Sequence, residues 1–475
     1  MGVEITKKDV TWSYVAKLFQ IGSGLVTLPL ILRLLTKEEV GMNYLMLTVS
    51  SIVGLMDFGF SPQFGRNFTY VNSGARRLCR EGVEEERGGS IDWHLLSVLI
   101  STARFVYRRL SVLALIVMLT FGTGYIWYLT EGFTNVNNSL YIWILYSFST
   151  YFNIYFSYYS SLLTGSGMIR ESSQAAILSK SAYLVLCTVF LLLGWGLFAV
   201  VAANFIAPFV QRYVSYRAYF KPELKARLAE QTVSREDIRE TFSVIWFNAK
   251  KLGINFIGAY AVNKMGMFII GFFLPLATIG SYGLLTQLTT IVTGIANTMF
   301  VTYLPKVSNC RVTGDRPMLK RTISFSMLVG QIIMVAGALG IIFVAPYLLE
   351  LIKSQTMLPS RLVCVLYLVV VALELNHSEF ASVISTENKI PYVVPSLVSG
   401  GVIVLLTFIA LKFTTLGLLG VVLVQGIVQA AYNNWRWPMW VFRELDMSIS
   451  EFYRTGFDSI IKTVSGLWKS MHRNA

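Results

Sequence analysis

Histidine and cysteine are nearly missing from this 475-residue chain, which has three of the former and four of the latter. His94, His377 and His472 are too scattered to hold a metal, and no cysteine pair has zinc or redox spacing. Cys187 and Cys364 fall in apolar runs, and Cys79 and Cys310 in connections on the side where thiols stay reduced, so no disulfide framework is expected. Charge is scarce as well: Asp, Glu, Lys and Arg make up 14% of residues, against about 25% in a soluble domain. There is no P-loop and no HExxH motif. No outer connection exceeds about a dozen residues, too short for a catalytic domain, and the one acidic pair there, Glu38-Glu39, sits in a tight turn. Metalloenzymes, nucleotide hydrolases and soluble globular classes are therefore excluded, and no enzyme activity and no cofactor are expected.

What fills the chain is apolar. Hydrophobic residues reach 54% and the mean hydropathy is +0.58. About twelve runs long enough to cross a ~30 Å hydrocarbon core recur between residues 11 and 442, which gives an all-α polytopic membrane protein. The first run is expected to insert as a signal anchor, since it lacks a cleavage site and is long enough to span. The net charge of +14 invites a nucleic-acid reading, but its placement argues otherwise. With the N-terminus in the cytoplasm, about 30 of the 40 Lys and Arg residues fall on cytoplasmic connections, which is the positive-inside pattern. Both termini are then cytoplasmic.

The polar stretch KPELKARLAEQTVSREDIRE divides the chain. Residues 1–220 form one six-helix lobe, 221–241 a cytoplasmic linker, 242–443 a second six-helix lobe, and 444–475 a cytoplasmic tail. Faint echoes link the halves: Val40-Gly41 matches Ile279-Gly280, Gly196 matches Gly417, and at that last offset Gly167 matches Asn388. Two facing repeats follow, an architecture that places substrate near the membrane midplane. The connection 71–92 reads as a solvated cytoplasmic loop. Beyond it Leu95, Leu99, Thr102, Val106 and Leu110 recur at helical spacing against Arg104, Arg108 and Arg109, which predicts a helix along the membrane surface or a basic mouth. In the tail, Ile449, Tyr453, Phe457, Ile460, Val464, Trp468 and Met471 step by three or four residues, which predicts an amphipathic interfacial helix.

Ionisable groups inside spans cost about 2.5 to 3.5 kcal/mol on insertion scales and usually face a cavity. Lys17, Asp57, Arg66, Lys250, Lys251, Lys264, Glu374, His377 and Glu379 are such groups. Asp57 and Arg66 are nine residues apart, about 13 Å along a continuous helix and on opposite faces, with a kink expected at Pro62 between them. Lys17, Lys250 and Lys251 are shallow enough to snorkel. Lys264 lies about 21 Å beyond Lys250, too deep for that, and faces a cavity or pairs with Glu374. Glu374 and His377 share a helical face, and such a pair exchanges protons near neutral pH. In the fourth span Tyr151, Tyr155 and Tyr158 or Tyr159 offer flat faces with hydroxyls, suited to sugar rings or to the membrane interface.

The run PLILRLLTKEEVG and the segment DFGFSPQFGRN, within residues 12 to 75, resemble the start of the bacterial O-antigen flippases. These form the polysaccharide-transporter branch of the multidrug/oligosaccharidyl-lipid/polysaccharide exporter superfamily. Beyond that stretch the resemblance is one of architecture. It implies two six-helix bundles around a V-shaped central cavity, and ion-gradient-driven alternating access. The cargo would be polyprenyl-pyrophosphate-linked oligosaccharide repeat units, moved from the cytoplasmic to the periplasmic leaflet of the bacterial inner membrane. Partners would be that lipid-linked glycan, the bilayer and other polysaccharide assembly proteins, with no nucleic acid. Lys17, Arg66 and Lys264 are the residues that could line the cationic cavity, with Tyr151 and Tyr155 against the glycan. Asp57, Glu374 and His377 would serve ion coupling, and Asp57 would pair with Lys17. An exporter of drugs or small cations is the competing reading, followed by a membrane glycan polymerase.

Overall fold

The computed structural model describes residues 7–80, 90–386 and 391–473 apart from scattered side chains, and every secondary-structure element among them is a helix. Helix α1 (Lys7–Leu34) turns directly into α2 (Lys37–Gly54). The sequence sets that turn. The Thr36 hydroxyl accepts the Glu39 N–H while the Glu39 carboxylate accepts the Thr36 N–H, a capping box on an acidic first turn. The other Glu39 oxygen accepts the Leu197 N–H at 3.0 Å.

The chain continues as α3 (Phe60–Asn72), α4 (Trp93–Val117), α5 (Thr123–Leu129), α6 (Ser139–Phe156), α7 (Tyr158–Gly165), α8 (Ile169–Leu192), α9 (Leu197–Tyr219) and α10 (Pro222–Ala229). It then runs through α11 (Arg235–Asn263), α12 (Met265–Ile270), α13 (Leu276–Thr313), α14 (Arg316–Leu339), α15 (Ala345–Leu351) and α16 (Arg361–Ser385). The last elements are α17 (Val393–Phe413), α18 (Leu418–Ala431), α19 (Asn433–Leu445) and α20 (Ile449–Arg473). Among the described residues, eight stretches are long and apolar enough to cross a membrane: 37–57, 93–129, 169–192, 197–219, 276–308, 316–351, 361–385 and 393–413. The other four expected spans fall on 7–34, 139–165, 235–270 and 418–445, the last three each divided between two helices. The fold is all-α and polytopic.

The chain divides into two compact units, 1–257 with 275–280, and 258–274 with 281–475. The first is built on an aromatic core in which Phe60, Phe64, Phe68, Leu99, Tyr107 and Leu162 are fully or nearly buried. The second is built on Phe300, Ile323, Phe380, Trp437, Val441 and Phe452.

Backbone detail sharpens the repeat. Gly196 and Gly417, each just before a helix, have φ/ψ of 54°/−139° and 52°/−128°, a region only glycine enters readily. The third span of each half also carries a π-helical turn, Met118–Gly122 and Gly340–Val344. Each π turn is followed by a seven-residue helix. Gly41 and Gly280, the other matched pair, pack together inside the first unit: a Cβ on Gly280 would lie 3.2 Å from the Gly41 nitrogen. Asn388 lies outside the described residues, as do 81–89 of the 71–92 connection.

Two expectations, for the second span and for the Leu99 stripe, are corrected, and two other segments gain detail. The second span is not one helix kinked at Pro62. It breaks at Phe58 and Gly59, both left-handed at φ 47° and 77°. Pro62 sits in the first turn of α3, where a missing N–H costs nothing. At the offset relating Gly41 to Gly280, the second half has Asn297 and Thr298 instead, and α13 runs through unbroken. The stripe Leu99, Thr102 and Val106 is core of the first unit and not a surface helix. The 221–241 connection is largely helical: α10 places Arg227 over the Trp93 ring at 4.8 Å, and a Ser234–Asp237 capping box starts α11. In the tail, α20 lays Gly456 and Ser459 against α14 and Phe452 against the Phe380 and Phe442 rings, while Ile449, Tyr453 and Phe457 stay exposed. The side chains of Val464, Trp468 and Met471 lie outside the described residues.

Candidate functional site

The helix break at Phe58 turns the Asp57 carboxylate toward its neighbours. Its Oδ1 accepts the Tyr107 hydroxyl at 2.7 Å and its Oδ2 the Ser61 N–H at 3.1 Å. Both oxygens thus act as acceptors, the pattern of an ionised carboxylate at a helix N-terminus. Lys17 lies on α1, and its side chain, and with it the expected pairing with Asp57, lies outside the described residues. Beside Asp57 opens a cavity of about 340 Å³ lined by Ser50, Ser61, Thr150, Asn153, Ser157 and Asn204 among others.

Two further cavities of the first unit share walls with it. One, of about 420 Å³, lies between α3 and α7 and is lined by Ser61, Arg66, Thr69, Ser160 and Thr164. These two helices approach closely because Gly165 faces Gly65, and the Ser61 and Ser161 hydroxyls bond at 2.9 Å. Arg66 is exposed at this cavity and donates to Gln63. The other, of about 500 Å³, is lined by Gln20, Asn153, Thr164, Lys180, Tyr183, Asn204 and Gln211. Ser61, Asn153, Asn204 and Thr164 each line two of the three. Polar walls therefore run from Arg66 past Asp57 to Lys180.

Lys180 is the residue that sequence reasoning missed. The apolar run read as the fifth span begins at residue 175, which leaves Lys180 shallow, but α8 starts at Ile169, which puts Lys180 eleven residues, about 17 Å, from the start and twelve, about 18 Å, from the end of a 24-residue helix. The signal that could have revealed it is the polar run Arg170 to Gln174, which continues the helix instead of ending a loop. Its ammonium lies over the Tyr183 ring at 4.4 Å. Tyr151 and Tyr155 stack on one another, centroids 6.1 Å apart, and line none of these three cavities. Asn153, on another face of α6, lines two of them.

In the second unit Glu374 and His377 line one cavity of about 420 Å³ with Thr293, Ser378, Gln429 and Asn433. His377 Nδ1 lies 2.8 Å from the Asn434 side-chain oxygen. Glu374 is 9% exposed and Glu379 2%. One oxygen of the first and both of the second lack a hydrogen-bond partner among the described residues. Lys264 marks the break between α11 and α12, is exposed, and forms no ion pair with Glu374.

Solved structures share this architecture. A multidrug resistance MATE family transporter of the MOP superfamily, in an inward-facing conformation, matches over 93% of this chain and 99% of its own, with a TM-score of 0.64 at 15% identity. The lipid II flippase MurJ, inward closed, matches over 94% and 90%, with a TM-score of 0.62 at 13% identity. A MATE transporter of that superfamily in an outward-facing conformation gives 0.53 at 16%, over 93% and 99%. No protein-family model and no curated protein matches the chain. At such identities the likeness is one of fold.

Proposed function

We propose that this chain is a flippase that carries polyprenyl-pyrophosphate-linked oligosaccharide repeat units from the cytoplasmic to the periplasmic leaflet of a bacterial inner membrane. The observation behind this reading is the charge balance of the first unit's cavities. They hold two cations, Arg66 and Lys180, and one carboxylate, Asp57, whose oxygens accept from Tyr107 and Ser61. A cationic drug would meet two like charges against a single carboxylate. A pyrophosphate-linked glycan is an anionic cargo, and a cavity path with more cations than carboxylates suits it, Arg66 being the donor placed for the pyrophosphate itself. The hydroxyls and amides between them suit a glycan crossing in water while the prenyl tail stays in lipid. Lys17 and Lys264 remain candidates for the same cationic path, and Tyr151 and Tyr155 for glycan contact. In the second unit the carboxylate and imidazole of Glu374 and His377 would couple transport to an ion gradient.

The test is to delete the gene in its own organism and profile polyprenyl-linked glycans by mass spectrometry. Accumulation of complete repeat units is expected. Truncated units would point to a sugar-adding enzyme. An unchanged profile, in a strain with no second transporter, would refute the glycan reading and favour the cation exporter.

A further inference from the structure

We infer that the 500 Å³ cavity of the first unit is a sugar-binding subsite in which Lys180 holds the carboxylate of an acidic sugar of the transported glycan. The inference rests on the flippase reading and adds a substrate class to it. Four features carry it.

First, Lys180 is the one charged residue among the described residues lining this cavity. No carboxylate there neutralises it, so an anion brought into the cavity meets an unshared positive charge. Second, it sits at the middle of α8, about 17 Å from the start of that helix, and an ionisable group within a span usually faces water or a ligand. Third, the Tyr183 ring covers one side of the ammonium at 4.4 Å. The ring orients the charge without consuming a hydrogen-bond acceptor, which leaves the N–H donors for a guest.

Fourth, the surrounding polar groups are side-chain amides. Gln20, Asn204 and Gln211 make no side-chain hydrogen bond among the described residues, and Asn153 uses only its Nδ2, on the Ser149 carbonyl at 3.0 Å. An amide offers both a donor and an acceptor, as does a sugar hydroxyl, so several amides around one cavity match a hydroxyl-covered ring. Such groups in a membrane-spanning helix need partners, and here only water or a guest can supply them.

The alternative anion on the same cargo is the pyrophosphate. That group carries more than one negative charge and calls for several cationic donors. A single lysine among neutral amides matches one negative charge on a hydroxylated ring instead.

The test uses the purified full-length protein in lipid nanodiscs and three short-chain polyprenyl-pyrophosphate probes. One bears a disaccharide with glucuronic acid, one the same disaccharide with glucose, and one no sugar. Lys180→Gln removes the charge and Lys180→Arg keeps it. Unchanged elution and thermal midpoint of both variants show that they are folded. The wild type is expected to bind the acidic probe about tenfold more tightly than the neutral one, as a charge-assisted hydrogen bond implies. Lys180→Gln should erase that preference and leave the neutral probe unchanged, while Lys180→Arg retains it. If Lys180→Gln weakens all three probes alike, Lys180 binds the pyrophosphate and the sugar assignment is overturned. If the acidic preference survives in Lys180→Gln, the subsite is refuted while the flippase reading stands. If the wild type binds none of the three, the flippase reading fails and takes the subsite with it.

Discussion

Asp57 lies in the turn between α2 and α3, and removing its contacts one at a time reveals whether it is charged. It accepts the Tyr107 hydroxyl at 2.7 Å and the Ser61 N–H at 3.1 Å. Tyr107→Phe deletes the first bond and Asp57→Ala deletes both. A hydrogen bond to a charged group contributes about 1.5 to 3 kcal/mol, whereas neutral interhelical bonds in membranes average about 0.6 kcal/mol. The magnitudes are far enough apart to decide the question. If Asp57 is ionised, the double variant Asp57→Ala/Tyr107→Phe should cost less than the sum of the single variants by about 1.5 kcal/mol or more. The second bond, at a helix N-terminus, adds about 0.5 to 1 kcal/mol to Asp57→Ala alone. The assay is unfolding free energy in bicelles by steric trapping, which avoids irreversible thermal unfolding. A coupling at or below about 0.6 kcal/mol would refute an ionised Asp57. The charge balance on which the cargo reading rests would then change.

Three other outcomes follow from the packing. Gly41→Ala should destabilise the protein by about 3 kcal/mol, because the new Cβ would meet the Leu276 carbonyl group, its carbon at 2.7 Å; Gly280→Ala, with 3.2 Å to its nearest atoms, should cost nearer 1 kcal/mol. Equal losses of unfolding free energy in the two variants would contradict this. Gly196→Ala and Gly417→Ala should each cost about 1 to 3 kcal/mol from backbone strain, Gly196→Ala the more, since its Cβ would also come 2.5 Å from Glu39 Oε1. Thermal midpoints that rise would overturn that ranking. On the C-terminal helix α20, the Lys320 ammonium holds the Glu451 carboxyl below its usual value of 4.5. Docking of α20 on α14 is then fully supported above pH 4.5 and weakens as pH falls through the lowered value. Proteolysis of the tail that rises on acidification in the wild type and is already high and pH-independent in Glu451→Gln is the expected result.

The sequence was most informative where a residue has one physical use. Gly196 and Gly417 were paired from a weak echo, and their shared backbone conformation gives the echo its cause. Apolar stripes were less informative, because a period of three to four does not distinguish a lipid neighbour from a protein one. Leu99, Thr102 and Val106 therefore read as a helix along the membrane surface or at a basic mouth yet form core, and α20 buries Phe452, outside its expected stripe, against Phe380 and Phe442. Depth was the other weak point. Lys180 was overlooked because its depth depends on a helix boundary six residues away from the expected one. The break at Phe58 and Gly59 went unseen because Pro62 is the commoner cause of a kink.

The most direct test of the cargo is transport itself. The purified protein would be reconstituted into liposomes with an imposed proton or sodium gradient and given a polyprenyl-pyrophosphate oligosaccharide whose outward-facing sugars an added glycosidase can cleave. A gradient-dependent rise in the cleaved fraction is predicted, lost in Arg66→Ala/Lys180→Ala at equal protein incorporation. No translocation, together with gradient-driven uptake of an organic cation such as ethidium by the same vesicles, would contradict the account.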